Sequence, residues 1–441
     1  MTQVSEPVGQ SAPDTRLSSR DIRRVAIASL IGTTIEWYDF YVYGVAAALI
    51  FSQLFFPEFS GASGTLISIA TIGVAFVARP LGGIVFGHFG DRIGRKSVLV
   101  ITLLIAGIAT VLIGLLPSYE TIGVAAPIIL VILRFAQGIG LAGEWGGAVL
   151  MAAEHAPANR RGFYAGWPQV GVALGVILAN GVFLILAATL SEQQLLEWGW
   201  RIPFLASILL VGVGLFIRLK VMESPVFRSL EDNKARAKAP LFEAVVKHPK
   251  TLVLATLAVV LNLVAFYALM TFMMSYTTTN LGMERTPVLL ATMAGAVVLA
   301  IGTLLASRWS DSIGRKRTIL VFYISWLLFA FPMFWLVNTE SFGLLVVALA
   351  VGMFLTSAYG PIAAFLAELF PARVRYSGMS VSFQVAAVLG GGLAPIAAVA
   401  LASSGLGWGA VALLIMVTAV ISISAVLALR EPDKARFADI D

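Results

Sequence analysis

Long apolar runs alternate with short polar breaks along almost the whole chain. Each run holds about 20 or more mostly apolar residues, the length a helix needs to cross a hydrocarbon core. Twelve such helices are predicted, at 23–51, 65–89, 97–116, 124–151, 163–189, 202–220, 251–279, 287–307, 318–337, 342–367, 379–402 and 408–429. Turn and breaker residues separate them: Pro57, Pro117, Pro157, Gly199, Pro249, Gly282, Pro371 and Gly405.

The polar breaks repeat. GHFGDRIGRK at 87–96 returns as SRWSDSIGRK at 307–316, so Asp91, Gly94, Arg95 and Lys96 recur as Asp311, Gly314, Arg315 and Lys316. Glu154, Pro157 and Arg161 recur as Glu368, Pro371 and Arg375. Two duplicated charged hairpins in an apolar chain imply two structural halves, an organisation common among transporters. The predicted fold class is an all-α membrane protein with twelve transmembrane helices in two pseudo-symmetric six-helix bundles. The boundaries follow: a tail at 1–22, a bundle at 23–220, a central loop with short surface helices at 221–250, a bundle at 251–429 and a tail at 430–441.

Composition sharpens this picture. Of 441 residues, 59% are hydrophobic and 12% charged, against about 25% charged in soluble domains. So few charges cannot cover a water-soluble body of this size; the bilayer is the solvent. No cysteine is present, which removes disulfides, thiolate metal sites and cysteine nucleophiles. The net charge of +6 does not point to nucleic acid, because the basic residues lie in the breaks. One set of alternate breaks, with both ends of the chain, holds 26 of the 30 Lys and Arg. The opposite side has only Arg201 and Arg285, while Arg79 and Arg134 fall inside helices. Both termini are therefore expected in the cytoplasm. Residues 1–20 are polar and lack the apolar core of a signal peptide, so the first span is expected to stay in place as an anchor.

Five ionisable residues lie inside the predicted spans: Glu36, Asp39, Arg79, Arg134 and Glu144. Each is costly there without a partner or a wet cavity. At 1.5 Å per residue, Asp39 and Arg134 share a level near the midplane, Glu36 and Arg79 share one slightly below, and Glu144 is nearer the cytoplasmic mouth. Glu36, Asp39 and Tyr43 have the i, i+3, i+7 spacing of one helix face. A carboxyl in a low-dielectric cavity resists ionisation, and a nearby guanidinium favours it. Binding an anion to such an arginine would release the acid to take a proton. On this reading Asp39 and Glu36 are the proton-coupling acids, Arg134 modulates the proton, and Arg79 binds a substrate carboxylate through its planar fork. Glu144 reads rather as a structural charge. Tyr43, Trp167, Gln169, Asn262, Tyr267, Tyr359 and Gln384 are the uncharged substrate-binding candidates. His88 reads as structural, and His155 and His248 as solvated. Pro168, Pro361 and Pro395 are expected to bend helices.

The pattern G-x-x-x-D-R-x-G-R-K at Gly87 to Lys96 resembles the signature loop of the major facilitator superfamily. R-x-x-Q-G at Arg134, Gln137 and Gly138 resembles its fourth-helix motif. EWYDFYVYG (36–44), RPLGG (79–83), GEWGG (143–147) and WGWRIPF (198–204) are similar to the metabolite–proton symporter branch, with carriers of shikimate, α-ketoglutarate, citrate, and proline or betaine. The second hairpin departs from the signature at Ser307 and Ser312. The resemblance implies a proton-coupled carrier of a small organic acid in the bacterial inner membrane. It also implies a cytoplasmic gate in which Asp91 meets the start of the eleventh helix near Gly378. Arg92, Arg95, Lys96 and Glu154 would add ion pairs there, with Asp311 and Arg315 in the second copy. The expected partners are a small organic acid, the proton and lipid; no nucleic acid, cofactor or metal is expected, and a monomer suffices. Alternatives are an organic-anion exchanger and a carrier of a zwitterion such as proline or betaine on the same fold. No Walker loop supports ATP drive, and no catalytic constellation supports an enzyme.

Overall fold

The computed structural model describes residues 18–59, 61–232, 237–403, 405–431 and 437. Most of the N-terminal tail, part of the central loop and most of the C-terminal tail predicted above lie outside the described residues. Twelve long helical segments follow in order: α1 (Ser19–Leu49), α2 (Gly61–Ile93), α3 (Arg95–Leu115), α4 (Ala125–His155), α5 (Ala158–Thr189), α6 (Arg201–Leu219), α7 (Pro249–Asn280), α8 (Arg285–Ile313), α9 (Arg315–Val337), α10 (Phe342–Leu369), α11 (Ala372–Ala402) and α12 (Trp408–Ala428). Eleven are long and apolar enough to cross a membrane. α1 is equally long and carries Glu36 and Asp39 in its middle. No strand occurs among the described residues.

Local chemistry explains the ends. Ser18 caps α1 by accepting the Asp21 N–H at 3.2 Å. Gly94 and Gly314 separate α2 from α3 and α8 from α9, with φ of 102° and 100°, conformations that glycine adopts freely. The expected loop at 90–96 is thus a one-residue corner, and Asp91 sits in the last turn of α2 rather than beyond it. The helix runs on because its end is held by side chains, as described below. α5 turns at Gly166, α10 at Ser357–Ala358, and α11 carries a wide turn at Val388–Leu393. Each irregularity lies just before one of the three prolines expected to bend helices.

The two halves pack alike. α1 lies on α5 as α7 lies on α11; α2 on α4 as α8 on α10; α3 on α6 as α9 on α12. The seam between halves is likewise paired: α2 against α11 and α5 against α8. Small residues let the backbones approach. A Cβ on Gly138 would lie 2.6 Å from the Ala75 carbonyl oxygen, and one on Gly87 would lie 3.0 Å from Ser377 Cα across the seam. Leu209 and Leu328 are more than 70% exposed, as lipid-facing side chains should be. Two short helices, Pro225–Asp232 and Pro240–Lys247, lie in the central connection.

Candidate functional site

Two polar constellations lie on the seam and a third lies inside the first half. The first closes the end that bears the charged hairpins. Asp91 accepts the Tyr376 N–H at 3.2 Å and both the N–H and hydroxyl of Ser377 at 2.9 Å, at the start of α11. Buried Arg95 pairs with Asp91 at 3.6 Å and Glu154 at 3.4 Å. Arg375 meets Glu154 at 3.3 Å. The second copy repeats the scheme. Asp311 accepts the N–H groups of Gly162 and Phe163, at 2.8 Å each, at the start of α5. Arg315 pairs with Asp311 at 2.6 Å and Glu368 at 3.1 Å, and Arg161 with Glu368 at 3.6 Å. A carboxylate at a helix N-terminus satisfies orphan N–H groups and complements the helix dipole.

Two further acids complete the corners. Glu223 accepts the backbone N–H groups of Arg95 and Lys96, each at 3.1 Å, and Glu431 accepts those of Arg315 at 2.7 Å and Lys316 at 3.1 Å. The ε-ammonium of Lys96 donates to the Leu219 carbonyl at 2.8 Å instead of pairing with Glu154. Arg92 is exposed beside His88, 3.5 Å away. Phe437 is inserted at the seam: its ring lies 3.8 Å from the Arg161 guanidinium and 3.9 Å from that of Arg375, and its carbonyl accepts from Arg375 at 2.7 Å. His155, expected to be solvated, is buried at the end of α4 with Nδ1 2.8 Å from the Met151 carbonyl.

The second constellation lies deeper, where α1, α2, α4 and α5 meet α7, α10 and α11. Arg79 is buried among the rings of Trp37, Phe40 and Phe76, with its guanidinium carbon 4.9 to 5.8 Å from their centroids. Tyr41, Tyr267 and Tyr359 surround it electrostatically. Trp145 stacks on Phe383 across the seam at 3.6 Å and donates to Gln169 at 3.1 Å. Gln384 reaches across to the Ala142 carbonyl at 2.9 Å. Several polar atoms here are buried without a protein partner: Glu36 Oε2, Arg79 Nε, Gln169 Nε2, Gln384 Oε1 and the hydroxyl of Tyr41, while the hydroxyl of Tyr267 adjoins Arg79 and that of Tyr359 adjoins Trp145. Buried polar groups are ordinarily satisfied, so a convergence of open valences marks a place for a polar guest.

The third constellation is enclosed in the first half. Ser207 donates to Asp39 at 2.6 Å. Arg134 donates to Gln137 at 2.6 Å, Gln137 donates to Thr110 at 2.7 Å, and Thr110 adjoins Asp39. The Arg134 guanidinium lies 3.9 Å from the Tyr43 ring centroid, a cation–π contact. The expected common face therefore divides. Asp39 and Tyr43 look into the first half, where Tyr43 donates to Thr71 at 2.6 Å, while Glu36 looks toward Arg79 and Glu144.

The equal depths of Asp39 and Arg134, and of Glu36 and Arg79, do not become ion pairs: none within 4.0 Å joins either couple among the described residues. Depth sets height in the membrane; rotation about the helix axis decides contact. Glu144 is paired with Arg218, which also donates to the Leu99 carbonyl. Arg218 was expected at the edge of the solvated central loop, yet it is buried.

Asn262 also departs from expectation. Its amide donates to the Thr356 carbonyl at 2.8 Å, tying α7 to α10. Trp167 is half-buried against Phe163, with its indole N–H unpartnered. Sequence reasoning missed Tyr41, Arg218, Ser207, Thr110, Glu223 and Glu431. Three of these had a usable signal. Tyr41 is four residues from Trp37 in one aromatic run, and Glu223 and Glu431 both precede a proline soon after the sixth and twelfth spans.

The family described as Major Facilitator Superfamily matches residues 29–383 and 280–440. The "Inner membrane metabolite transport protein YhjE" of Escherichia coli is 42% identical over 423 residues, covering 95% of this chain and 96% of that one. The "Shikimate transporter" of Escherichia coli is 39% identical over 430 residues, 95% of this chain and 97% of that one. The "Proline/betaine transporter" of Salmonella typhimurium is 33% identical, covering 93% and 84%. The fold is similar to the solved proton:xylose symporter XylE bound to 6-bromo-6-deoxy-D-glucose, with a TM-score of 0.77 at 17% identity over 93% of this chain and 95% of that one.

Proposed function

The chain belongs to the major facilitator superfamily and is a membrane transporter rather than an enzyme; on that premise we propose that it is a proton-coupled symporter taking up a small organic acid by alternating access. The observation that carries this reading is the set of unpartnered buried polar atoms around Arg79 on the seam. Arg79 receives the carboxylate of the cargo. The hydroxyls of Tyr41, Tyr267 and Tyr359 and the amides of Gln169 and Gln384 receive its hydroxyl or keto groups. Trp37, Phe40, Trp145 and Phe383 wall the site. Such few, convergent polar groups in an aromatic setting are what small-ligand sites require.

Asp39 carries a proton, and Gln137 and Thr110 transmit the state of Arg134 to it. The hairpin network at Asp91, Arg95, Glu154, Asp311 and Arg315 acts as the cytoplasmic gate. The Lys and Arg bias supports cytoplasmic termini, and the similarity to an inner membrane metabolite transport protein of Escherichia coli supports the inner membrane. A zwitterionic cargo such as proline or betaine is the second reading, favoured by the nearness of Glu36 to Arg79.

The test is uptake by reconstituted vesicles of a panel of organic acids and betaine at two pH values. Asp39→Asn is expected to abolish accumulation driven by a pH gradient while preserving exchange of cargo for cargo. Full uphill uptake by that variant would rule out the role of Asp39. Arg79→Ala is expected to weaken carboxylate binding far more than thermal stability, and unchanged affinity would rule out its role.

A further inference from the structure

Glu36 on α1 and Glu144 on α4 face one another beneath the central site. Each is less than 10% exposed; Glu36 Oε2 meets no hydrogen-bond partner, and Glu144 has Thr102 beside it as well as Arg218. Glu144 is held by Arg218 of α6 and lies against α1: a Cβ on Gly32, one turn from Glu36, would sit 2.8 Å from Glu144 Oε1. The charged groups around Glu36 are Glu144, Arg79, Arg218 and Asp39. Tyr267 of α7 and Tyr359 of α10 face Glu36 from the other half, and Tyr376 of α11 faces Glu144 and Arg218.

Charge counting then has a consequence. Without cargo, two carboxylates are balanced by Arg218 and Arg79. When a cargo carboxylate takes Arg79, Glu36 and Glu144 are left with Arg218 alone. One negative charge is in excess, which a low-dielectric interior does not tolerate. We propose that Glu36 and Glu144 form a second proton-binding site, with Arg218 as its fixed counter-ion, so that each monocarboxylate is carried with two protons.

The proton bonds to the free Oε2 of Glu36 and is released when the cargo leaves Arg79. A small cavity of about 20 Å³, room for one water, is lined by Arg218, Ser29 and Lys96. The proposal rests on Arg79 as the carboxylate ligand. It goes beyond the proposed function in adding a site separate from Asp39 and in making transport electrogenic.

The experiment uses the full chain in vesicles, with radiolabelled shikimate, a monoanion at neutral pH, as probe. Two protons with one monoanion move one net positive charge. An inside-negative potential of 100 mV without a pH gradient should then drive about 50-fold accumulation. Glu144→Gln leaves Glu36 balanced by Arg218 and should lose this response while keeping uptake driven by a pH gradient. The double variant Glu144→Gln with Arg218→Gln restores the excess charge and should restore the response, a rescue that a purely structural pair would not give. A wild-type ratio of one proton per cargo, from the reversal potential, would overturn the proposal. So would a potential response that survives Glu144→Gln, or a double variant that transports without regaining it. Absence of any pH-driven shikimate uptake by the wild type would instead count against the proposed function, and against this inference with it.

Discussion

Replacing Asp91 by Asn perturbs the seam at a single charge with almost no change of shape. In the closed arrangement the carboxylate accepts two N–H groups from the first turn of α11 and the hydroxyl of Ser377. These contacts join the two halves, so they exist only while this end is shut. Asn keeps one acceptor oxygen but turns an N–H₂ toward donors and loses the interaction with the helix dipole. A partly buried charge at a helix terminus contributes up to about 2 kcal/mol, and the change should raise the open-to-closed ratio roughly thirtyfold. The chain has no cysteine, so spin labels can be placed cleanly at Ser97→Cys and Arg317→Cys, both exposed beside the two corners. Pulsed electron–electron resonance should show a longer-distance population that grows in Asp91→Asn. Asp311→Asn should act with similar size, because its contacts to Gly162 and Phe163 have the same form. Gly90→Ala should act in the same direction, since its Cβ would enter the Tyr376 ring. An unchanged distance distribution in Asp91→Asn would refute the claim that this carboxylate holds the halves together.

Three further outcomes are expected. Tyr41→Phe removes a hydroxyl with no protein partner, so binding of the cargo should weaken roughly three- to tenfold with no drop in the thermal midpoint; unaltered binding would remove Tyr41 from the site. Asn262→Ala should do the reverse, costing about 1–3 kcal/mol of stability through the lost bond to Thr356 while leaving cargo affinity as it was. Phe437→Ala removes a ring shared by Arg161 and Arg375, about 1 kcal/mol per contact, and should shift the spin-label distances in the direction of Asp91→Asn but by less.

The charged corners were legible because their chemistry is local and duplicated. Asp, Gly, Arg and Lys recur at fixed spacing, and a one-residue glycine corner needs only backbone geometry to place an acid at one helix end. The partner at the far side, the start of α11, was named through the family resemblance; the alternation of breaks only put both on one membrane face. The central site was only partly legible. Height within the membrane follows from counting residues at a fixed rise, so Glu36, Asp39, Arg79, Arg134 and Glu144 were assigned sensible depths. Which of them meet depends on how each helix is turned about its axis. A residue-to-residue rotation of about 100° puts Asp39 and Tyr43 in the interior of the first half and Tyr41 on the seam, although all three lie within five positions.

Arg218 shows the same limit from the other side. In the sequence it ends an apolar run beside a basic loop and counts as one more positive charge. In the fold it turns inward because Gly32 leaves room against α1 and Glu144 offers a partner. Hydropathy and repetition by themselves determined the solvent, the number of spans, the two halves and the paired charged breaks, since these depend on composition along one dimension. Only the packed structure decided which buried charges are paired, which are bridged through Gln137 and Thr110, and which polar atoms stay open for a guest. Those are properties of facing surfaces, set when helices far apart in the chain choose their rotation against one another.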